Sequence, residues 1–60
     1  MTYIEAINIA KQGKTLRLPN FIGYFDWSFG NNCLLFKNGD YKCKADNLDV
    51  KNRNDWYYII

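Results

Sequence analysis

Asn38-Gly39, set between two runs of alternating side chains, constrains this chain more than any other feature. A two-residue type I′ turn needs positive φ at both central positions, and Asn-Gly meets that demand with little strain. With these residues as the turn, Lys37 faces Asp40, Phe36 faces Tyr41, Leu35 faces Lys42 and Leu34 faces Cys43. Alternation then gathers Leu34, Phe36, Tyr41 and Cys43 on one face, and Cys33, Leu35, Lys37, Asp40, Lys42 and Lys44 on the other. One face is apolar and the other mostly charged. A slip of one residue would exchange them, so turn chemistry and pattern together are expected to fix the register. The same geometry sets the two cysteines on opposite faces, which argues against a disulfide between them. Free cysteines that act as small hydrophobes suit a reducing, cytoplasmic setting.

Upstream of the hairpin, Thr2-Tyr3-Ile4-Glu5 has the form of a capping box. Tyr3, Ala6, Ile7 and Ala10 recur at helical spacing, and Gly13 suits the position just past a helix end. A helix over residues 3–12 follows, too short to stand alone and so docked on a sheet. Leu16 and Leu18 alternate with Thr15 and Arg17 in a strand over 14–18, which Pro19 ends. From 21 to 29 the alternation is again clean, with Phe21, Gly23, Phe25, Trp27 and Phe29 opposite Ile22, Tyr24, Asp26 and Ser28. Gly30-Asn31-Asn32 turns this strand into the hairpin strands at 33–37 and 40–44. Residues 45–54 are polar and read as a loop with one helical turn, anchored by Leu48 and Val50. Residues 55–60, rich in strand formers, make the last strand. The expectation is a single α+β domain over 1–60, with an N-terminal helix packed on an antiparallel sheet of four to five strands.

A chain of sixty residues buries only about 60% of the surface it exposes when unfolded. Self-association into a homo-oligomer is expected to supply what so small a core lacks. The chain has no histidine, which rules out a Ser-His-Asp or Cys-His constellation within it. Two cysteines alone do not complete a zinc site. The four glycines are spread over turns and form no phosphate loop. The reading is a non-enzyme without metal or cofactor. The net charge of +2 is too small to imply nucleic acid, and no run approaches the roughly 20 apolar residues that cross a bilayer. Aromatic residues make up 18% of the chain and gather after Pro19, more rings than turns and edges require. On the charged hairpin face, Lys37, Lys42 and Lys44 stand beside Leu35, a surface suited to edge protection or to an acidic partner.

The chain as a whole resembles small phage-encoded anti-defence proteins, in particular the second type of Thoeris anti-defence protein. The resemblance lies in Glu5-Ala6-Ile7, Lys11-Gln12-Gly13-Lys14, Leu16-Arg17-Leu18 and Phe21, and near the C-terminus in Asp46 to Asp49 with Leu48 and in Asp55-Trp56. The family more often carries tryptophan at the place of Phe21, a second basic residue at Leu18 and a longer middle. The resemblance implies a cytoplasmic host-cell protein that sequesters a host nucleotide immune signal without cleaving it. Lys14 and Arg17 would meet phosphate, Phe21, Tyr24 or Trp56 would stack on a base, and Asp55 would bond a ribose. The alternative it implies is an inhibitor that caps a host defence protein with the face bearing Leu35, Lys37, Lys42 and Lys44.

Overall fold

A computed structural model describes residues 1–58. The chain runs α1 (Tyr3–Lys11), β1 (Leu16–Arg17), β2 (Tyr24–Ser28), β3 (Cys33–Asn38), β4 (Tyr41–Lys44), α2 (Leu48–Lys51) and β5 (Tyr57–Tyr58). The five strands form one antiparallel sheet in the order β4-β3-β2-β1-β5. The fold is thus the expected α+β arrangement of an N-terminal helix on a five-stranded sheet. The last two residues of the strand read over 55–60 lie outside the described residues. Among the described residues, no helix is long and apolar enough to cross a membrane.

The capping box at the start of α1 is complete. The Glu5 amide donates to the Thr2 hydroxyl, and the Thr2 amide donates to Glu5 Oε1 at 2.9 Å. Ala6 and Ala10, one turn apart, face the sheet and are buried, so their small side chains let the helix axis come close. The helix stops one residue earlier than expected, with Gln12 as its C-cap. Asn47 caps α2 by accepting from the Val50 amide at 3.1 Å. Of the two expected anchors there, Val50 is buried and Leu48 is exposed.

Two departures from the sequence reading have plain physical causes. First, β2 begins at Tyr24, three residues later than expected. Leu18–Phe21 form a type II turn, with Pro19 at its second position, Asn20 at φ 69° at its third and the Phe21 amide donating to the Leu18 carbonyl. Second, the hairpin turn is Gly39-Asp40, flanked by the pair Asn38–Tyr41. Positive φ is confined to Gly39, the first central position, as a type II′ turn requires. Asn38 therefore stays in the ladder, and each expected partner moves by two: Lys37 faces Lys42, Phe36 faces Cys43 and Leu35 faces Lys44. A shift of two preserves side-chain parity, so the expected faces survive the changed register.

The core lies between the sheet and the two helices. Trp56, Phe25, Leu16, Leu18 and Leu34 are its largest fully buried side chains. Phe25 is the hub, with ring centroids 4.8 Å from Trp56, 5.0 Å from Phe36 and 5.8 Å from Phe21. Gly23 makes this packing possible. Its φ is 135°, and a Cβ there would lie 2.4 Å from the Lys37 carbonyl oxygen and 3.0 Å from the Phe36 ring. Gly23→Ala is therefore expected to lower unfolding free energy by about 3 kcal/mol, from a left-handed backbone combined with the clash. Urea denaturation measures this, and a loss below about 1 kcal/mol would contradict the close approach.

Candidate functional site

With α1 and α2 on one face of the sheet, the other face is left open. The strand register arranges its side chains in rows. Tyr57 pairs with Arg17, Tyr24 with Lys37, and Lys37 with Lys42, while the Leu16–Phe25 pair sets Arg17 opposite Tyr24. One row thus crosses all five strands as Tyr57, Arg17, Tyr24, Lys37 and Lys42. The adjacent row carries Thr15, Asp26, Leu35 and Lys44. Tyr24 and Tyr57 are each about two-fifths exposed, at 40% and 42%.

Between the rows lies an open hollow of about 580 Å³, lined by Thr15, Arg17, Gly23, Tyr24 and Asp26. That volume falls in the range of small-molecule sites, roughly 300–1,000 Å³. The carboxylate of Asp26 is engaged on both oxygens: Thr15 Oγ1 donates to Oδ1 at 3.2 Å, and Lys37 Nζ donates to Oδ2 at 3.4 Å. The Lys37–Asp26 pair is about one-third exposed on each side, so it fixes orientation more than it stabilises. Arg17 differs from these neighbours. It makes no ion pair among the described residues, and its Nε is buried without a hydrogen-bond partner. An unmet buried donor costs about 1–3 kcal/mol, a cost that an acceptor arriving in the hollow would relieve.

The residues that the sequence points to as ligand-binding divide into three places. Arg17 and Tyr24 share the open hollow. Lys14 is exposed and lines a neighbouring hollow beside the C-terminal end of α1. Phe21, Asp55 and Trp56 lie away from both. Trp56 is only 2% exposed and packs on Phe25 and Tyr3, so the expectation that it stacks on a ligand is corrected: its ring is core. Phe21 is half-buried against Phe25 and Phe36, with the Arg53 guanidinium 5.5 Å from its ring centre. Both carboxylate oxygens of Asp55 accept from Arg53. Leu35, Lys37, Lys42 and Lys44 do gather on the open face, Leu35 beside Lys44 and Lys37 beside Lys42. Sequence reasoning missed Tyr57, Thr15 and Asp26 as neighbours of Arg17. The outward alternation of Thr15 and Asp26 was visible, but the β1–β5 pairing that brings Tyr57 in is non-local.

Among the described residues no group of His, Cys, Asp and Glu could hold a metal ion. The chain has no match among protein-family models, curated proteins or solved structures.

The hydrogen bond from Arg53 holds the Asp55 carboxyl below the usual Asp range and raises the guanidinium. With the folded pKa depressed, the stabilisation is present above the ordinary Asp pKa and is lost as pH falls through the folded value. An NMR titration of the Asp55 carboxyl carbon is expected to give a midpoint below the ordinary Asp value, moving upward in Arg53→Gln. An unchanged midpoint in that variant would show the pair to be absent in solution.

Proposed function

We propose that the protein is a phage counter-defence protein that binds a host nucleotide immune signal and sequesters it without cleaving it. The carrying observation is the Arg17 guanidinium, without an acidic partner among the described residues and with its Nε unbonded, in a hollow beside the exposed ring of Tyr24. In this reading a phosphate takes the planar donors of Arg17, a bidentate geometry that lysine does not offer. The base stacks on Tyr24, and Tyr57 extends the aromatic surface beyond Arg17. Thr15 and Asp26 are placed to meet sugar hydroxyls. Asp26 already binds two donors, and no histidine stands by to move a proton, which supports holding the signal over breaking it. Pairing of two open faces in a homo-oligomer would enclose such a ligand.

The second reading, an inhibitor that docks on a host defence protein, is supported by Leu35, Lys37, Lys42 and Lys44 standing together on the same face. One experiment separates them. The protein is incubated with lysate from defence-activated cells, washed free of small molecules and heat-denatured, and the released material is analysed by mass spectrometry. Sequestration requires an intact nucleotide to be released, and Arg17→Ala to reduce its retention tenfold or more. Release of nothing, with a single host protein co-purifying and lost on Leu35→Asp, would replace the first reading with the second.

A further inference from the structure

A second hollow, of about 390 Å³, opens where α1 ends and β1 begins. Its charged lining residues are Lys11, Lys14, Lys37 and Asp26, a sum of +2 that equals the formal net charge of the entire chain. Lys37 is committed to Asp26, which leaves Lys11 and Lys14 as its unpaired cations among the described residues. The same hollow is lined by Trp27 and by Phe29. Phe29 is 77% exposed at the end of β2 and meets the Trp27 ring edge-on at 6.2 Å, a large ring held in water by no core contact of its own. Among the described residues Trp27 Nε1 is buried without a hydrogen-bond partner, as Trp56 Nε1 is in the core, and Lys11 Nζ lies over the face of the Trp27 ring, 4.9 Å from its centre.

Three demands meet at this point among the described residues: two ammonium groups without carboxylates, an indole N–H without an acceptor, and an aromatic face without a cover. We infer that this hollow is a binding site for a flat ring carrying a phosphate or carboxylate group. The anion draws Lys11 off the indole and pairs with Lys11 and Lys14. The ring then lies against Phe29 and the uncovered face of Trp27, and an oxygen of the anion accepts from Trp27 Nε1. A cation–π contact at an exposed site is weak, so Lys11 exchanges it readily for an ion pair. The site adjoins the Arg17 hollow through the shared residues Thr15 and Asp26, but its recognition groups are different ones.

The two indole N–H signals in a ¹H–¹⁵N spectrum test this directly, assigned by the loss of one in Trp27→Phe. Titration with phenyl phosphate is expected to move the Trp27 signal saturably and leave that of buried Trp56 in place. Lys11→Gln should weaken binding about tenfold, and Phe29→Ser several-fold. Inorganic phosphate should bind more weakly than phenyl phosphate, since it lacks the ring. Both substituted residues are exposed, and an unshifted Trp56 signal certifies that each variant is folded. Arg17→Ala should leave this titration unchanged, so failure of the Arg17 site and failure of this one are separate results. A Trp27 signal that does not move, or moves equally in Lys11→Gln or with inorganic phosphate, overturns the inference.

Discussion

The packing of Phe25 against Trp56, Phe36 and Phe21 is the interaction on which the remainder of the molecule depends. Phe25 sits on the central strand of the sheet, opposite Leu16 on one side and Phe36 on the other. A chain of this size cannot fill a core by number of side chains, so it fills it by size, and each ring buries far more area than an aliphatic group. Small residues elsewhere make that arrangement possible. Ala6 and Ala10 bring α1 close, Ala45 follows β4 without displacing the rings, and Gly23 lets the chain pass against the Lys37 carbonyl.

That use of rings decides where recognition can occur. Aromatic residues needed for the core are not available to a ligand, and Trp56 and Phe21 belong to that group. The residues left over are those that the strand register projects to the opposite face, together with Phe29 at the end of β2. Tyr24, Tyr57 and Arg17 therefore share the open face because the core takes the alternate positions on the same strands. Among the polar atoms of the described residues, Asp26 is occupied by Thr15 and Lys37, whereas Arg17 Nε, Trp27 Nε1 and the core Trp56 Nε1 are buried without partners.

Much of this was legible in the sequence where the signal is local. The capping box, the helix face, the strand alternation around Phe25 and the two faces of the hairpin all follow from spacing alone. The hairpin partners did not, because one Asn-Gly sequence serves both a I′ turn centred on Asn38-Gly39 and a II′ turn centred on Gly39-Asp40. Either choice keeps Leu35 and the lysines on one face, so the buried pattern cannot distinguish them. The role of Trp56 was equally illegible: an Asp-Trp pair opening a strand reads alike for a ligand-stacking ring and a core ring. What decides it is the β1–β5 pairing with Phe25 beneath, a contact spanning most of the chain. The outward placement of Arg17 and Tyr24 was legible by simple alternation, though the resemblance named them as ligand-binding; the place of Tyr57 beside them was not legible, because it reaches them only through that pairing.

The division of the rings into a buried set and an exposed set is most directly tested by tryptophan fluorescence. In Trp27→Phe, Trp56 is the only tryptophan left, and its environment can be read without ambiguity. The account requires blue-shifted emission that acrylamide hardly quenches until denaturant unfolds the chain, and no change when a nucleotide is retained. Emission at the wavelength of a solvated indole, quenched in the native protein as readily as in the unfolded chain, would contradict it.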